Sequence, residues 1–103
     1  MDELTKELQS FLVRMGYQPE SVAHETEHAM EHIIALLGPN DEDSLVHYFG
    51  LFGKERLSLD EIASRQQLSP EEMMERIDRC LRRLAVTPEW QLVRNNIETT
   101  YDR

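Results

Sequence analysis

Residues 57–84 decide the fold of this 103-residue chain, and their sequence is LSLDEIASRQQLSPEEMMERIDRCLRRL. Two helix starts lie within them. Ser58 is followed three residues later by Glu61, and Ser69 is followed three residues later by Glu72. This is the spacing of a capping box, in which the hydroxyl and the carboxylate satisfy the first free backbone amides of a helix. The stretch therefore predicts a short helix, a tight turn and a longer helix.

The longer helix carries one apolar stripe. It opens with Pro70, and proline is favoured at the first position of a helix because its missing N–H costs nothing there. Apolar residues then recur at spacings of four, three, one and three, which is the pattern of a helix with a single buried face. They are Met73, Ile77, Cys80, Leu81 and Leu84. A short helix, a turn and a longer amphipathic helix are typical of a helix-turn-helix.

The same stretch resembles region four of the sigma-70 family of transcription initiation factors. Residues 45–53 (LVHYFGLFG) are similar to the helix that ends in a Tyr/Phe-Gly-Leu turn in that domain. Residues 58–63 (SLDEIA) are similar to the opening of its first motif helix, and residues 82–84 (RRL) to the end of its second. The resemblance covers about 40 residues without a gap. It implies an all-α protein that binds promoter DNA, RNA polymerase or both.

In that family the second motif helix lies in the major groove, where residues near its N-terminus contact bases and phosphates. The family places Arg, Lys and Gln freely among these positions, whereas this chain places four acids there. Carboxylates repel phosphate oxygens, so the acids argue against DNA binding although the fold argues for it. Carried over by position, the contact residues are Ser69, Glu71, Glu72, Met74, Glu75, Asp78 and Arg79, and the basic side chains of the helix are Arg76, Arg79, Arg82 and Arg83.

The charge of the chain is strongly acidic and uneven. The net charge is −9 at pH 7. Residues 1–53 hold ten acids against Lys6 and Arg14, which gives −8, and residues 54–103 hold ten acids against nine bases, which gives −1. A protein that binds duplex DNA usually carries a basic patch, and here such a patch is confined to the second half.

The first forty residues predict two helices. Residues 2–15 show a core-facing stripe, and Gly16 is expected to end that helix in a left-handed conformation. A second helix is predicted over residues 19–37 and is stopped by Gly38 and Pro39. Because the connection is short, we expect the two helices to form an antiparallel hairpin. The two stripes are Leu4, Leu8, Phe11, Leu12 and Met15, and Val22, Thr26, Ala29, Met30, Ile33 and Leu37.

Two further helices complete the prediction. One begins at Asp41, with acids at its positive N-terminal end. Its aromatic residues, Tyr48 and Phe49 with the following Phe52, are expected at the centre of the core. The last begins at Thr87-Pro88 and offers Trp90, Val93 and Ile97 as its apolar residues. Trp90 is expected to hold this helix against the rest of the protein, and the alternative is a surface anchor for a partner.

The predicted second helix carries three histidines among glutamates. His24, Glu25 and His28 match the H-E-x-x-H pattern, in which two histidines bind zinc and the glutamate acts as a base. His32 follows one turn later. Metal binding by histidines four residues apart is chemically easy. Our interpretation is a solvated polar face, in which neighbouring carboxylates favour the charged form of the histidines.

The predicted fold class is all-α, in three parts that form one compact domain. Residues 1–40 are an acidic N-terminal helical hairpin, residues 41–86 are a sigma region-four-like helix-turn-helix, and residues 87–103 are an additional helix. A single cysteine, Cys80, excludes an intramolecular disulfide. No apolar run approaches the length of a membrane span, so we expect a cytoplasmic protein that does not enter the membrane.

The predicted function is regulation of transcription through promoter DNA, RNA polymerase or both. The alternative is an acidic interaction module that binds a sigma factor or polymerase without touching DNA. The sequence predicts neither catalysis nor a cofactor, and it leaves the oligomeric state open. A chain of 103 residues has no room for the sigma domain that grips the polymerase core, so we do not expect a self-sufficient initiation factor.

Overall fold

The computed structural model describes residues 2–101, with the side chains of residues 2–96. Over that part of the chain it contains α-helices, one 3-10 turn at Pro19–Ser21 and no strand, which confirms the all-α class. None of its helices is both long enough and apolar enough to cross a membrane. The helices are α1 (Glu3–Tyr17), α2 (His24–Ala35), α3 (Pro39–Phe49), α4 (Leu59–Arg65), α5 (Pro70–Ala85) and α6 (Pro88–Tyr101).

Helix α5 lies at the centre of the molecule. It packs against α1, α3, α4 and α6. The five residues of its predicted apolar stripe are all buried, and none exposes more than 2% of its surface. Such burial of aliphatic side chains is the largest favourable contribution to folding. The predicted face of the longer motif helix is therefore confirmed.

The predicted helix starts are present because capping depends on neighbouring residues only. The Glu61 N–H donates to Ser58 Oγ over 3.2 Å, and the Trp90 N–H donates to Thr87 Oγ1 over 3.2 Å. The capping box at Ser58 is incomplete. The Glu61 carboxylate accepts from the Ser58 hydroxyl at 3.2 Å, whereas in a complete box it would accept from the Ser58 backbone N–H. Each cap satisfies an amide that has no partner within its own helix.

Residues 66–69 connect α4 to α5 in a tight turn. The Leu68 N–H donates to the Ala63 carbonyl over 2.9 Å, and Leu68 packs against the core. Gln67 takes a φ of 59°, a left-handed conformation that is uncommon for a residue with a Cβ. The turn brings α4 and α5 into contact with each other.

The prediction that Gly16 ends the first helix was wrong. Helix α1 continues through Gly16 to Tyr17, and Gly16 is not among the residues with positive φ. A Cβ at this position would overlap the carbonyl oxygen of Phe49 and lie 2.7 Å from Nη2 of Arg56. Gly16 is therefore required for the close approach of α1 to the end of α3.

The single second helix predicted over residues 19–37 was also wrong. A 3-10 turn is followed by extended backbone at Val22 and Ala23, and α2 begins only at His24. Arg14 of α1 explains the break, because its Nη2 donates to the Ser21 carbonyl at 2.8 Å and its Nε to Ser21 Oγ at 2.9 Å. In a continuous helix the Ser21 carbonyl would accept a backbone hydrogen bond, but here it accepts from the Arg14 side chain.

Helix α3 begins two residues earlier than predicted. Pro39 occupies its first turn, and Gly38 precedes it with a φ of 95°. We predicted that three aromatic residues would form the centre of the core, and this is only partly correct. Phe49 is buried, whereas Tyr48 and Phe52 are half-buried. The core is centred on α5 instead, because the aliphatic stripe of that helix faces four other helices.

The two N-terminal helices find their main partners elsewhere in the fold. Helix α1 packs most extensively against α5, and α2 packs against α3 and α6. The two helices therefore do not pack mainly against each other, as the predicted antiparallel hairpin would require. Trp90 is buried as predicted, and its ring centroid lies 5.7 Å from that of Phe11 on α1. Ile97, predicted on the same face of α6, lies outside the described side chains.

Candidate interaction surface on α5

The start of α5 is fixed by a complete capping box. The Ser69 N–H donates to Glu72 Oε1 over 2.9 Å, and the Glu72 N–H donates to Ser69 Oγ over 3.1 Å. The bond from the Ser69 N–H lowers the pKa of the Glu72 carboxyl. Two of the residues carried over from the sigma family are therefore engaged in holding the helix start, and Glu72 is held ionised.

Acidic side chains surround a methionine on the first half of α5. Glu71, Glu75 and Asp78 line an open depression of about 420 Å³ together with Met74. Met74 is 38% exposed, and its sulfur accepts from the Tyr48 hydroxyl at 3.9 Å. The structure thus brings together four of the predicted contact residues as one surface, which we call the acidic face. Such a surface suits a cationic partner that also offers an apolar side chain.

Three of the four arginines of α5 lie on a neighbouring side of the helix. With 100° per residue, the arginines at 76, 79 and 83 lie roughly 110° around the axis from the acidic face. Together with residues 37–41 they line a pocket of about 400 Å³, next to the start of α3. We call Arg76, Arg79 and Arg83 the arginine face.

Two members of the arginine face are paired across the fold. Arg76 Nη1 donates to Gln66 Oε1 over 2.7 Å, and its Nε lies 3.8 Å from Asp41 Oδ1. Arg83 Nη1 lies 4.0 Å from Asp41 Oδ2. The carboxylate of Asp41 therefore offsets part of the positive charge that a phosphate would need.

The remaining arginines of α5 differ from each other. Arg82 pairs with Asp78 one turn earlier on the helix. Arg79 is exposed and has no ion pair within the described part of the chain. It is the arginine of this helix best placed to bind an anion from outside.

Cys80 lies behind the arginine face and is not a reactive thiol. It is 2% exposed, and burial together with the nearby Asp41 carboxylate raises the pKa of the Cys80 thiol to about 11. Thiolate is the nucleophilic and metal-binding form of cysteine. The prediction that Cys80 lies on the buried apolar stripe of this helix is confirmed.

The three histidines of α2 are exposed but do not act as one cluster. His28 and His32 approach each other, with their Nε2 atoms 3.4 Å apart. His24 instead lies near Glu27, with Nδ1 and Oε1 4.0 Å apart. Among the described residues, no three His, Cys, Asp or Glu side chains are arranged to hold a metal ion together. The H-E-x-x-H pattern contains His24 and His28, whereas the two imidazole rings in contact are those of His28 and His32.

Sequence reasoning missed the residues of other helices that contact α5. Asp41 was recognised only as an acid at a helix start, and Gln66 and Tyr48 were not considered as partners of α5 side chains. Asp41 lies 35 positions before Arg76 in the sequence, so the pairing depends on how α3 packs against α5. Helical spacing identifies which side chains share a face, but it carries no signal for contacts between distant helices.

Comparisons of this chain with protein-family models, with curated proteins and with solved structures found no significant match. The resemblance to sigma region four therefore depends on its motif residues alone, and the surfaces of α5 carry the evidence for function.

Proposed function

We propose that this chain regulates transcription through a sigma-70 region-four-like helix-turn-helix formed by α4 and α5. In this proposal it acts chiefly as an acidic module that binds a basic surface of RNA polymerase or of a sigma factor. No catalysis and no cofactor are involved. The observation that carries the proposal is the acidic face, which occupies the positions at which the sigma family, by the resemblance given above, presents its DNA-contacting side chains.

The acidic face has the chemistry of a protein-binding surface. Its carboxylates at Glu71, Glu75 and Asp78 surround the exposed thioether of Met74. Methionine adapts its shape to different partners, and the surrounding charges would select a basic partner and speed its association. A net charge of −9 adds long-range attraction for such a partner.

The same residues oppose binding to a phosphate backbone. Affinity for duplex DNA depends on cations that replace condensed counterions. Arg76 and Arg83 face Asp41, and Arg82 faces Asp78, so three of the four arginines of α5 already have carboxylate partners. An approaching phosphate would have to displace these carboxylates while also facing the acidic face.

Promoter DNA is the second candidate partner, and one observation favours it. Arg79 has no ion pair within the described residues, and the side chains of Arg82 and Arg83 are 60% and 57% exposed. Arg79 and Arg83 could reach phosphate oxygens if the helix approached a groove from the arginine face, and Arg82 could do so from its edge. Binding of this kind would fall steeply with salt.

The test is a binding titration of the chain against purified bacterial RNA polymerase and sigma factor. Replacing Glu71 and Glu75 together by Gln should weaken binding at least tenfold, as loss of two charge contacts of roughly 0.7 kcal/mol or more each would do. The matched control replaces Glu20 and Glu25 by Gln, which changes net charge equally at exposed positions outside α5. Glu72 is left intact because it caps the helix.

The outcomes separate the two partners. Binding to polymerase or sigma that is lost in the α5 variant and kept in the control supports the acidic module. An equal loss in both variants would mean that only net charge matters, and the acidic face would then not be the site. Saturable binding to duplex DNA at moderate salt, weakened by Arg79→Ala across all sequences, would overturn the protein-partner proposal in favour of promoter DNA.

A further inference from the structure

One turn of α2 places two imidazole rings against each other on the protein surface. The Nε2 atoms of His28 and His32 are 3.4 Å apart, and the ring centroids are 4.8 Å apart with the planes nearly perpendicular, at 86°. The two residues are four positions apart, so a single helical turn fixes their separation. This pair plays no part in the function proposed above.

The separation of the two nitrogens matches a tetrahedral metal ion. Zinc binds imidazole nitrogen at about 2.0–2.1 Å, so two ligands at a tetrahedral angle would lie about 3.3–3.4 Å apart. Two adjacent ligands of an octahedral ion at the same bond length would lie only about 2.9 Å apart. We propose that His28 and His32 form a zinc-binding site on the outer face of α2.

The surroundings of the pair favour a bound dication. Glu31 Oε1 lies 3.9 Å from Nδ1 of His28. At this distance the carboxylate makes no hydrogen bond to the ring, but its negative charge favours a cation bound nearby. The chain as a whole carries −9, which attracts cations to its surface.

The site is distinct from the zinc motif that the sequence suggests. No hydrogen bond or ring contact joins His24 to His28 in the described structure, and His24 is fully exposed beside Glu27. The pair that meets is the later one, His28 and His32. Two protein ligands leave two positions of a tetrahedral ion to water, so the metal would exchange readily.

Zinc should also stabilise α2. The helix has no side-chain cap at its N-terminus, and a metal bound by residues of successive turns would hold the turn between them. A ligand that binds only the folded state raises its stability as the ligand concentration increases. The melting temperature should therefore rise with zinc until the site is saturated.

The experiment is calorimetric titration of the whole chain with Zn²⁺ alone, together with thermal melts. The wild-type chain should bind one equivalent at about pH 7.5. His32→Ala should lower the affinity at least tenfold and abolish the zinc-dependent rise in melting temperature. Glu31→Gln should lower the affinity by less than about fivefold, as loss of an exposed charge near the site would do.

His24→Ala is the matched control, because it removes an exposed histidine from the same helix without touching the pair. It should keep the affinity within twofold of wild type. Melts without zinc will show that each variant folds, since all these side chains are exposed. The absence of saturable binding to the folded wild-type chain, or an equal loss in His24→Ala and His32→Ala, would overturn the proposal.

Discussion

Gly16 sets the distance between two helices by the absence of a side chain. The Arg56 guanidinium passes beside it, donates from Nη2 to the Phe49 carbonyl at 2.7 Å and lies 3.9 Å from the centre of the Tyr17 ring. Arg56 thereby binds the end of α3 through a charge-assisted hydrogen bond and the last turn of α1 through a cation–π contact, which joins the two helices. A methyl group at Gly16 would occupy the space that this arrangement needs.

Replacing Gly16 by Ala tests this close approach, because the change in the free energy of unfolding should be opposite in sign to the one usual for a helix. In the interior of a helix the change ordinarily stabilises by about 0.5–1 kcal/mol. Here the new Cβ meets backbone, so we expect a net loss of about 1–3 kcal/mol, the usual cost of overpacking. Urea unfolding measures the difference, and Ser10→Ala, at an exposed position of the same helix, serves as the control. An unchanged or higher stability of Gly16→Ala would show that α1 and α3 are not packed this closely.

The Cys80 thiol gives a prediction about pH. Burial raises its pKa from 9.0 to about 11, so the folded state holds the proton more tightly than the unfolded chain. The resulting stability is fully present below pH 9 and is lost as the pH rises through about 11. We expect the urea midpoint to fall over this window more in the wild-type chain than in Cys80→Ala. At about pH 8 a disulfide reagent should label Cys80 rapidly only after unfolding. Rapid labelling of the folded protein would contradict this burial.

At the scale of helices, the features that could be predicted are those that depend on adjacent residues. Ser58, Ser69 and Thr87 mark real helix starts because a capping hydroxyl reaches only three residues along the chain. The buried stripe of α5 follows directly from its spacing. The break before α2 could not be predicted, because it depends on Arg14 binding the Ser21 carbonyl from another helix.

The two serine caps of the α4–α5 segment should differ in strength. Ser69 belongs to a complete capping box, whereas the box at Ser58 is half formed. We expect Ser69→Ala to cost about 1–2 kcal/mol and Ser58→Ala about 0.5–1 kcal/mol, within the range measured for such caps. Chemical unfolding of the two variants side by side measures this. Equal costs would mean that the Ser69 hydroxyl stabilises its helix no more than the Ser58 hydroxyl does, although only Ser69 belongs to a complete capping box.

At the scale of the whole molecule, the local charge differs between the acidic face and the arginine face of α5 although the protein is strongly acidic. The sequence indicated four acids and four arginines on one helix. Helical spacing places three of the acids on the acidic face and three of the arginines on the arginine face, whereas Glu72 falls on the side of the arginines and Arg82 on the side of the acids. What spacing could not show is that Asp41 of α3 lies against the arginine face. The local charge there is set by the packing of two helices, so a count of residues along α5 overestimates its affinity for anions.

Asp41→Asn tests this directly. Removing the carboxylate should free Arg76 and Arg83 for outside anions, so the variant should be retained on a heparin column at a salt concentration at which the wild-type chain passes through. Glu20→Gln changes the net charge equally at an exposed position outside α3 and α5, and should leave retention nearly unchanged. Equal retention of the two variants would show that net charge, rather than Asp41, limits anion binding. Because Asp41 lies on the arginine face, the proposed binding of polymerase or sigma by the acidic face should persist in Asp41→Asn. Its loss would mean that the partner contacts both faces.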